Sequence, residues 1–382
     1  MFQVDSETKD LPRSGKKLGW FNRLAMILNI IFVAAILLSY FSRVVSPEKN
    51  WYMAFFGLGY PVLFLINLLF VVYWLLQMRM QFLFSLIALL IGYKSFFSYV
   101  QWGNQANVSS AAPSTKVMTY NCMLFDLYNW SNNANSRKMI FDLLSKEKPD
   151  ILCLQEFYSS ENPNSFNNIN DLVRVLNLPY HHHAYTTTLR QTDHWGIITL
   201  SKYPIINTGI IKFQTKTNNC CIYTDMLVGN DTVRVYNLHL QSIQFEKDDY
   251  KYVADVIENK NEEDIRHSRS ILKRLKRGFV KRAKQAQMVA SSINSCNYKI
   301  IVCGDFNDTP TSYAYHEVRG DLLDAFVERG SGLEKTYNGA FPAFRIDNIF
   351  HSEQIKTLSY KRVKSSITDH FPVTATLRIS DK

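Results

Sequence analysis

The stretch YKIIVCGDFN, residues 298–307, contains the pattern on which the predicted fold depends. A short apolar run bounded by polar residues is typical of a buried strand. Asp305 and Asn307 follow it two positions apart, so they share one side of an extended chain while Phe306 faces the other way. The segment therefore predicts a buried strand that presents a carboxylate and an amide at its end.

The same pattern recurs in five further segments, each a short apolar or alternating run that ends in polar residues. They are KVMTYN at 116, DILCLQE at 150, GIITLS at 196, TVRVYNLHLQ at 232 and FRIDNIF at 344. Helical periodicity appears between them at Ser136–Lys146, Phe166–Asn177 and Ile265–Ile293. Strands alternating with helices predict an α/β or α+β domain.

Polar side chains gather at the ends of these predicted strands, which is where such a scaffold presents reactive groups. Two interpretations remain open at this point. Burying carboxylates and amides together is costly without partners, so they either form a satisfied hydrogen-bonded network or surround a cation and an anionic substrate. The residues concerned are Asn121, Glu156, Asn237, His239, Asp305, Asn307, Asp347, Asp369 and His370.

Most of the uncharged sequence precedes residue 104 and indicates a membrane anchor. Leu24–Ser42 has 19 residues without a charge and Asn50–Met78 has 29, each long enough to cross a hydrocarbon layer of roughly 30 Å. Gln81–Val100 contains one cation, Lys94, near its far end, so three transmembrane helices are predicted. A cleaved signal peptide, a buried hairpin of a soluble protein and a transporter are the alternatives that this pattern disfavours.

The distribution of charge predicts the orientation of this anchor. Five cations precede the first apolar stretch, whereas the loop at 43–49 has two, which favours a cytoplasmic N-terminus. With an odd number of spans, the remainder of the chain is exported. The predicted organisation is a cytoplasmic segment at 1–23, the anchor at 24–102, a linker at 103–115 and a soluble domain at 116–382.

Composition excludes several classes of protein. A chain of 382 residues that is 47% hydrophobic is neither disordered nor a disulfide-stapled miniprotein. Its six cysteines include no C-x-x-C spacing, which leaves no argument for a zinc site or a disulfide framework. The net charge of +10 is divided between the anchor and the domain, so the domain lacks the overall charge of a nucleic-acid-binding protein. Nine cations do cluster at 266–284, on a predicted amphipathic helix.

Seven segments, taken in order, resemble the endonuclease/exonuclease/phosphatase superfamily, and most closely its membrane-anchored bacterial branch. They are VMTYNCM, DILCLQEFY, GIITLSKYPI, VYNLHLQS, IIVCGDFNDTP, FRIDNIF and SSITDHFPV, between Lys116 and Arg378. The resemblance implies a four-layer sandwich, in which two packed and mostly antiparallel sheets are flanked by helices. The active site would lie at one end of the sheets.

The resemblance also implies a role for individual residues. Glu156 would be the main ligand of Mg²⁺, with Mn²⁺ as the alternative ion, supported by Asn121 and Asp369. Asp305 and Asn307 would flank the scissile phosphate, Asp347 would orient His370, and His239 would contact the phosphate. Mg²⁺ prefers hard oxygen ligands and is commonly held by one or two carboxylates together with substrate phosphate, which agrees with these residue types.

The sequence thus predicts a membrane-anchored, Mg²⁺-dependent phosphohydrolase that cleaves a phosphodiester or phosphomonoester by in-line attack of water. The expected substrate is a phosphate ester of a lipid headgroup, a nucleotide or a nucleic acid. The expected location is the bacterial inner membrane, with the catalytic domain extracytoplasmic. The alternatives are an extracytoplasmic DNA or RNA nuclease and a non-catalytic, membrane-anchored module that binds phosphorylated ligands. Asp193 is the candidate carboxylate partner of His239.

Overall fold

The computed structural model describes residues 19–103, 114–214, 217–243, 262–339 and 345–379. Most of the predicted N-terminal segment and linker lie outside these residues. The helices are α1 (Trp20–Phe41), α2 (Tyr52–Leu58), α3 (Tyr60–Leu76), α4 (Phe82–Ile91), α5 (Tyr93–Phe97), α6 (Ser136–Glu147), α7 (Asn168–Leu176), α8 (Glu262–Asn294), α9 (Tyr313–Arg319) and α10 (Ala325–Arg329). A 3₁₀ turn spans Met123–Asp126.

The strands form two six-stranded sheets and one small ribbon. They are β1 (Val100–Trp102), β2 (Thr115–Asn121), β3 (Ile151–Ser160), β4 (Tyr180–Leu189), β5 (Asp193–Ser201), β6 (Ile205–Ile211), β7 (Cys220–Val228), β8 (Asp231–His239), β9 (Lys299–Asp305), β10 (Leu323–Asp324), β11 (Ser331–Leu333), β12 (Asp347–His351), β13 (Ile355–Arg362) and β14 (Val373–Ile379). The first sheet has the order β13-β14-β2-β3-β5-β4 and the second β10-β12-β9-β8-β7-β6, while β1 pairs with β11. Only the β2–β3 and β8–β9 pairs are parallel among the described strands.

Alternating side chains divide the soluble part into four layers. Apolar residues of both sheets meet in a central core, for example Val117 and Cys153 from the first sheet and Val235 and Ile301 from the second. The opposite face of the second sheet packs on α8 and α9, and that of the first sheet packs on α6 and α7. The predicted sandwich of two mostly antiparallel sheets between helices is confirmed.

The apolar N-terminal region differs from the prediction of three transmembrane helices. Among the described residues, only α1, with 22 residues, has the length and composition of a membrane span on its own. α2 and α3 would make a second span if counted together, but they bend by 63°. Pro61 lies in the first turn of α3, a position that proline favours. Because proline has no backbone N–H to donate, it disfavours a single helix that would run from α2 into α3.

The third predicted span is wrong as a continuous helix, because it consists of α4, with 10 residues, and the short α5. The break falls at Gly92, where an added Cβ would lie 2.1 Å from the ring of Tyr40. The Tyr40 hydroxyl also donates to the carbonyl oxygen of Ala88 at 3.0 Å. Tyr40 of α1 therefore leaves no room for a side chain at position 92, between α4 and α5.

We refer to α1–α5 as the apolar bundle, and a buried polar network holds its helices together. Asn29 donates to Ser85 at 2.5 Å and accepts from the indole of Trp74 at 3.0 Å, while Ser85 donates to Asn67 at 2.9 Å. Such bonds join helices where the surroundings are apolar on every side. Large apolar side chains cover the outside, and in the most hydrophobic window of α1 only 22% of residues are buried.

Candidate active site

The polar strand ends predicted from the sequence converge at one end of the sandwich. The parallel β2–β3 and β8–β9 pairs bring four carboxyl ends together, and the antiparallel neighbours β12 and β14 begin at the same end. His239, Asp305 and Asp347 are in register on three adjacent strands. The second sheet therefore places an imidazole and two carboxylates side by side.

Close backbone packing fixes this register between β8 and β9. Gly304 has a φ of +148°, and a Cβ there would lie 2.0 Å from the carbonyl oxygen of Leu238. A larger residue would force the two strands apart at the point where they deliver His239 and Asp305. The glycine that precedes the catalytic candidate is thus required by the geometry.

Glu156 reaches the site through a β-bulge in β3. The pairing register with β5 shifts between Leu154 and Phe157, and Glu156 has a φ of +46°, in the left-handed region. Bulges of this kind redirect a side chain at the rim of a sheet. Burial raises the pKa of Glu156, and the nearby Asp369 adds to that rise, whereas His370 and a hydrogen bond from Asn121 oppose it.

Asp305 is buried and accepts several hydrogen bonds. Its Oδ1 accepts the backbone N–H of Asn307 at 2.8 Å, and its Oδ2 accepts the side-chain amides of Asn121 at 3.1 Å and Asn307 at 3.2 Å. Asn307 also donates to the carbonyl oxygen of Leu240 at 2.9 Å. Burial raises the pKa of Asp305 to about 6, although His370 and His239 act against the shift. The two amides fix the orientation of this carboxylate.

His370 lies between two carboxylates. Its Nδ1 is 3.0 Å and 3.2 Å from the two oxygens of Asp347, and its Nε2 is 3.7 Å from Oδ2 of Asp305. Burial opposes the charged imidazolium, but Asp347 and Asp305 outweigh it and hold the pKa of His370 well above its usual value. Asp347 thus orients the imidazole of His370, whose Nε2 faces Asp305.

His239 is the buried polar group at the site whose bonding is incomplete. Its Nε2 has no hydrogen-bond partner within the described residues, at 3.7 Å from Asp305 and 3.9 Å from Glu156. Burial lowers the pKa of His239. The expectation that Asp193 pairs with His239 is wrong, because Asp193 instead accepts from the hydroxyl of Tyr158 at 2.8 Å. The described residues thus leave this nitrogen, which faces two carboxylates, without a hydrogen bond.

The donor set fits a divalent cation. Asp369 is close enough to Glu156 to contribute to the raised pKa of Glu156, and a cation between the two carboxylates would relieve that repulsion. Asp305, Asp347 and His370 also bring ligand atoms within 4.8 Å of one another. In the second group, however, Nδ1 of His370 is already bonded to Asp347. Glu156 and Asp369 are therefore the better candidates for direct ligands.

Several supporting residues were not identified from the sequence. Gln155 donates to Asn237 at 2.7 Å between the two sheets, so Asn237 belongs to the interior and not to the cleft. Arg282, one of the nine cations on the predicted amphipathic helix at 266–284, is 1% exposed and donates to Asp308 at 2.9 Å. Arg282 lies within a run of lysines and arginines, so the sequence does not indicate that its side chain points inward.

Comparisons with known proteins agree with this geometry. Residues 118–370 match the model of the endonuclease/exonuclease/phosphatase family, and residues 22–99 match a domain of unknown function (DUF8431). None of the curated proteins searched is similar enough to match.

Solved structures are similar in fold at low sequence identity. An endonuclease/exonuclease/phosphatase from Beutenbergia cavernae is 16% identical with a TM-score of 0.50, over 69% of this chain and 71% of that one. A family protein from Bacteroides thetaiotaomicron is 17% identical with a TM-score of 0.50, over 69% of this chain and 97% of that one. The human Nocturnin catalytic domain is 17% identical with a TM-score of 0.48, over 70% and 94%.

The two packed sheets, with carboxylates and histidines clustered at one end, define a phosphoesterase type of scaffold. Because the family model covers more than half of the chain, the protein belongs to the endonuclease/exonuclease/phosphatase family. It is a hydrolase that acts on phosphate ester bonds. Members of this family usually use a divalent metal ion, and the buried group formed by Asp305, Asp347 and His370 has a composition that could bind one.

Proposed function

We propose that this protein is a membrane-anchored, Mg²⁺-dependent phosphohydrolase that cleaves a phosphodiester or phosphomonoester by in-line attack of water. The observation that carries the proposal is the arrangement around Asp305. A buried carboxylate with a raised pKa lies 3.7 Å from both His239 and His370, and His370 is oriented by a second buried carboxylate. Such an arrangement separates a proton acceptor from a proton donor within one cleft.

The acceptor in this proposal is Asp305. The amides of Asn121 and Asn307 hold its carboxylate in one orientation. A fixed carboxylate can position the attacking water in line with the leaving oxygen. A carboxyl group whose pKa is raised towards neutrality is a more effective general base than one with an ordinary pKa. Asp305 would thus take a proton from water while the amides prevent its rotation.

The donors are His370 and His239. His370 keeps a proton because Asp347 and Asp305 stabilise the imidazolium, and its Nε2 would donate to a phosphoryl oxygen as negative charge develops there. His239 offers a buried Nε2 with no described partner, which a phosphate oxygen would satisfy. Both contacts strengthen as the phosphate gains charge in the transition state.

Glu156 and Asp369 would hold the cation, with Asn121 beside them. Mg²⁺ in such a site would neutralise charge on the phosphate and on the leaving oxygen. The hard oxygen donors of two carboxylates suit Mg²⁺ or Mn²⁺ better than a softer metal. The exposed part of Glu156, whose side chain is 36% accessible, leaves room for water or substrate.

The surface of the apolar bundle supports anchoring in a membrane. Apolar side chains on α1 and α3 remain exposed along their whole length, for example Ile27 at 57%, Ile31 at 54%, Leu65 at 55% and Leu69 at 59%. A continuous apolar surface of this kind is not stable in water and marks contact with lipid or another apolar surface. The helix α1 has the length for a complete crossing.

The contacts at the two ends of α1 support the proposed sidedness. At its start, Asn22 accepts a hydrogen bond from Tyr73 at the end of α3, and just beyond its other end Ser42 contacts Thr311 of the catalytic domain. If α1 crosses the bilayer, the N-terminus and the catalytic domain lie on opposite sides. The cations that precede α1 favour a cytoplasmic N-terminus, which would export the catalytic domain.

The test is a panel of substrates offered to the purified full chain with Mg²⁺. The panel contains bis-p-nitrophenyl phosphate, p-nitrophenyl phosphate, DNA, RNA, phospholipid and sphingolipid. Release of product from any phosphate ester, lost on addition of a chelator and restored by Mg²⁺, is the expected result. Binding of one compound without product would favour the non-catalytic module, and cleavage restricted to DNA or RNA would favour the nuclease.

Membrane sidedness has its own test. A reporter fused after Lys382, active only outside the cytoplasm, should give a signal in intact cells, and the chain should stay in the membrane fraction after carbonate washing. A signal from the matched cytoplasmic reporter would contradict the exported placement. This result does not depend on the substrate panel.

A further inference from the structure

The apolar bundle contacts the loop that carries the active-site residues, and a small buried joint makes this contact. We define the joint as Ser42, Gly57, Tyr99 and Thr311. Ser42 donates to the carbonyl oxygen of Thr311 at 2.6 Å, and the Thr311 hydroxyl donates to the carbonyl oxygen of Gly57 at 2.8 Å. The Tyr99 hydroxyl lies 2.8 Å from the hydroxyl oxygen of Thr311. Residues from three parts of the bundle thus converge on one threonine.

The joint is closely packed and excludes water. Thr311 is 0% exposed, Ser42 is 1% exposed and Tyr99 is 5% exposed. A Cβ added at Gly57 would lie 2.4 Å from Oγ of Ser42 and 3.0 Å from the carbonyl oxygen of Thr311. Buried hydrogen bonds of this kind hold one geometry, because breaking them leaves polar groups without partners.

Three residues of the chain, 308–310, lie between Thr311 of the joint and Asn307 of the candidate site. Asn307 bonds to the carboxylate of Asp305, the next residue, Asp308, forms a buried ion pair with Arg282 of α8, and Thr309 lies 3.2 Å from Thr311 between their hydroxyl oxygens. The side chains of Asn307, Asp308, Thr309 and Thr311 therefore each have a partner. Because this loop is short and its side chains are bonded, a displacement of Thr311 should also displace Asn307.

Other contacts keep the bundle in place on the catalytic domain. β1, which follows the bundle, pairs with β11, and the amide of Glu334 donates to the carbonyl oxygen of Tyr99 at 2.9 Å. Arg345 donates to the carbonyl oxygen of Ser98 at 2.9 Å, and the rings of Phe55 and Phe279 meet edge to face at 5.2 Å. The joint is the part of this interface that touches the catalytic loop.

From this geometry we infer that Thr311 is a positioning residue, through which the docked apolar bundle holds Asp305 and Asn307 in their working orientation. The inference rests on the proposed function for its effect on turnover. The bundle is then a structural part of the active site as well as an anchor. Loosening the joint should lower kcat with little effect on KM, because the cleft that binds substrate is not contacted by the bundle side of the joint.

The first test compares Thr311→Val, Thr311→Ser and Thr224→Val in the full chain, reconstituted in lipid nanodiscs with Mg²⁺. Valine keeps the shape of Thr311 and removes the hydroxyl that contacts Gly57, Tyr99 and Thr309, so kcat should fall at least about tenfold, as expected for the loss of one or more buried hydrogen bonds. Serine should restore most of the rate. Thr224 of β7 is a matched control, since it is also a buried threonine and its hydroxyl contacts His182 of β4 at 3.1 Å instead of the joint.

The second test does not need activity. Hydrogen exchange of the backbone amides of Thr309 and Ser312 should quicken about tenfold in Thr311→Val and in Tyr99→Phe, and stay unchanged in Thr224→Val. Unchanged exchange in both joint variants would overturn the inference even if the wild type hydrolyses a substrate. Faster exchange without any hydrolysis by the wild type would leave the joint supported and would instead count against the proposed function. Equal kcat in Thr311→Val and the wild type would also overturn it.

Discussion

Replacing Asp347 by Asn tests how His370 is controlled. The substitution keeps the size of the side chain and removes the negative charge that faces Nδ1 of His370 at 3.0 Å and 3.2 Å. The backbone N–H of Asp347, which donates to Thr336 at 3.0 Å, is not altered. The perturbation is therefore confined to the charge and to the acceptor capacity beside the imidazole.

The expected magnitude follows from the hydrogen bond that is lost. A hydrogen bond to a charged group contributes about 1.5–3 kcal/mol, which corresponds to about a 10- to 150-fold loss in rate. The pKa of His370 should fall as well, because Asp347 is the leading group that raises it against the effect of burial. The loss should appear in kcat, since the proposed donation to the phosphoryl group strengthens in the transition state.

The assay is the release of p-nitrophenol by the wild type, Asp347→Asn, His370→Ala and the double variant. Glu353→Gln is the matched control, because it makes the same chemical change at an exposed position shortly after β12. The double variant should be no slower than His370→Ala, since Asp347 acts through His370. Full activity in Asp347→Asn, or a further loss in the double variant, would refute this reasoning.

Two predictions concern stability and the packing of the site. Arg345 and Asp324 form a completely buried pair at 2.6 Å and 2.7 Å, so Arg345→Met should lower the free energy of unfolding by about 3–5 kcal/mol, as measured by denaturant titration in detergent. Arg345→Met with Asp324→Asn should recover most of this loss, and equal stability of the wild type and the single variant would contradict it. Gly304→Ala should destabilise the fold by about 2 kcal/mol or more in the same titration, because its Cβ would meet the carbonyl oxygen of Leu238; an unchanged midpoint would show that the strands can separate freely.

The strand-end pattern was sufficient to predict an α/β or α+β domain and most of the polar residues that lie together at one end of the sheets, whereas the sandwich was implied by the family resemblance. Period-two alternation separates Asn237 and His239 from the apolar Tyr236 and Leu238, and the structure places the two apolar residues against the outer helices. Strand direction then brings the ends together, because parallel neighbours end on the same side. Local patterns carry this information, so a single sequence can reveal it.

Other features depend on contacts between distant residues and could not be predicted in this way. The bulge at Glu156 is defined by the register with β5, and the need for glycine at position 92 depends on Tyr40 of another helix. The inward direction of Arg282 depends on Asp308 in a loop that lies beside it only after folding. A hydrophobic stretch predicts a helix but not which residues of other helices pack against it.

The central claim is that Glu156 and His370 belong to one metal-dependent hydrolytic site. The most direct measurement is the rate of bis-p-nitrophenyl phosphate hydrolysis against Mg²⁺ concentration, for the wild type, Glu156→Gln, His370→Ala and the Glu353→Gln control. The wild type and the control should show the same saturable dependence on Mg²⁺. Glu156→Gln should require more Mg²⁺, and His370→Ala should lose at least about 100-fold in rate at saturating Mg²⁺. Rates and Mg²⁺ dependences in both variants that equal those of the wild type would contradict the account.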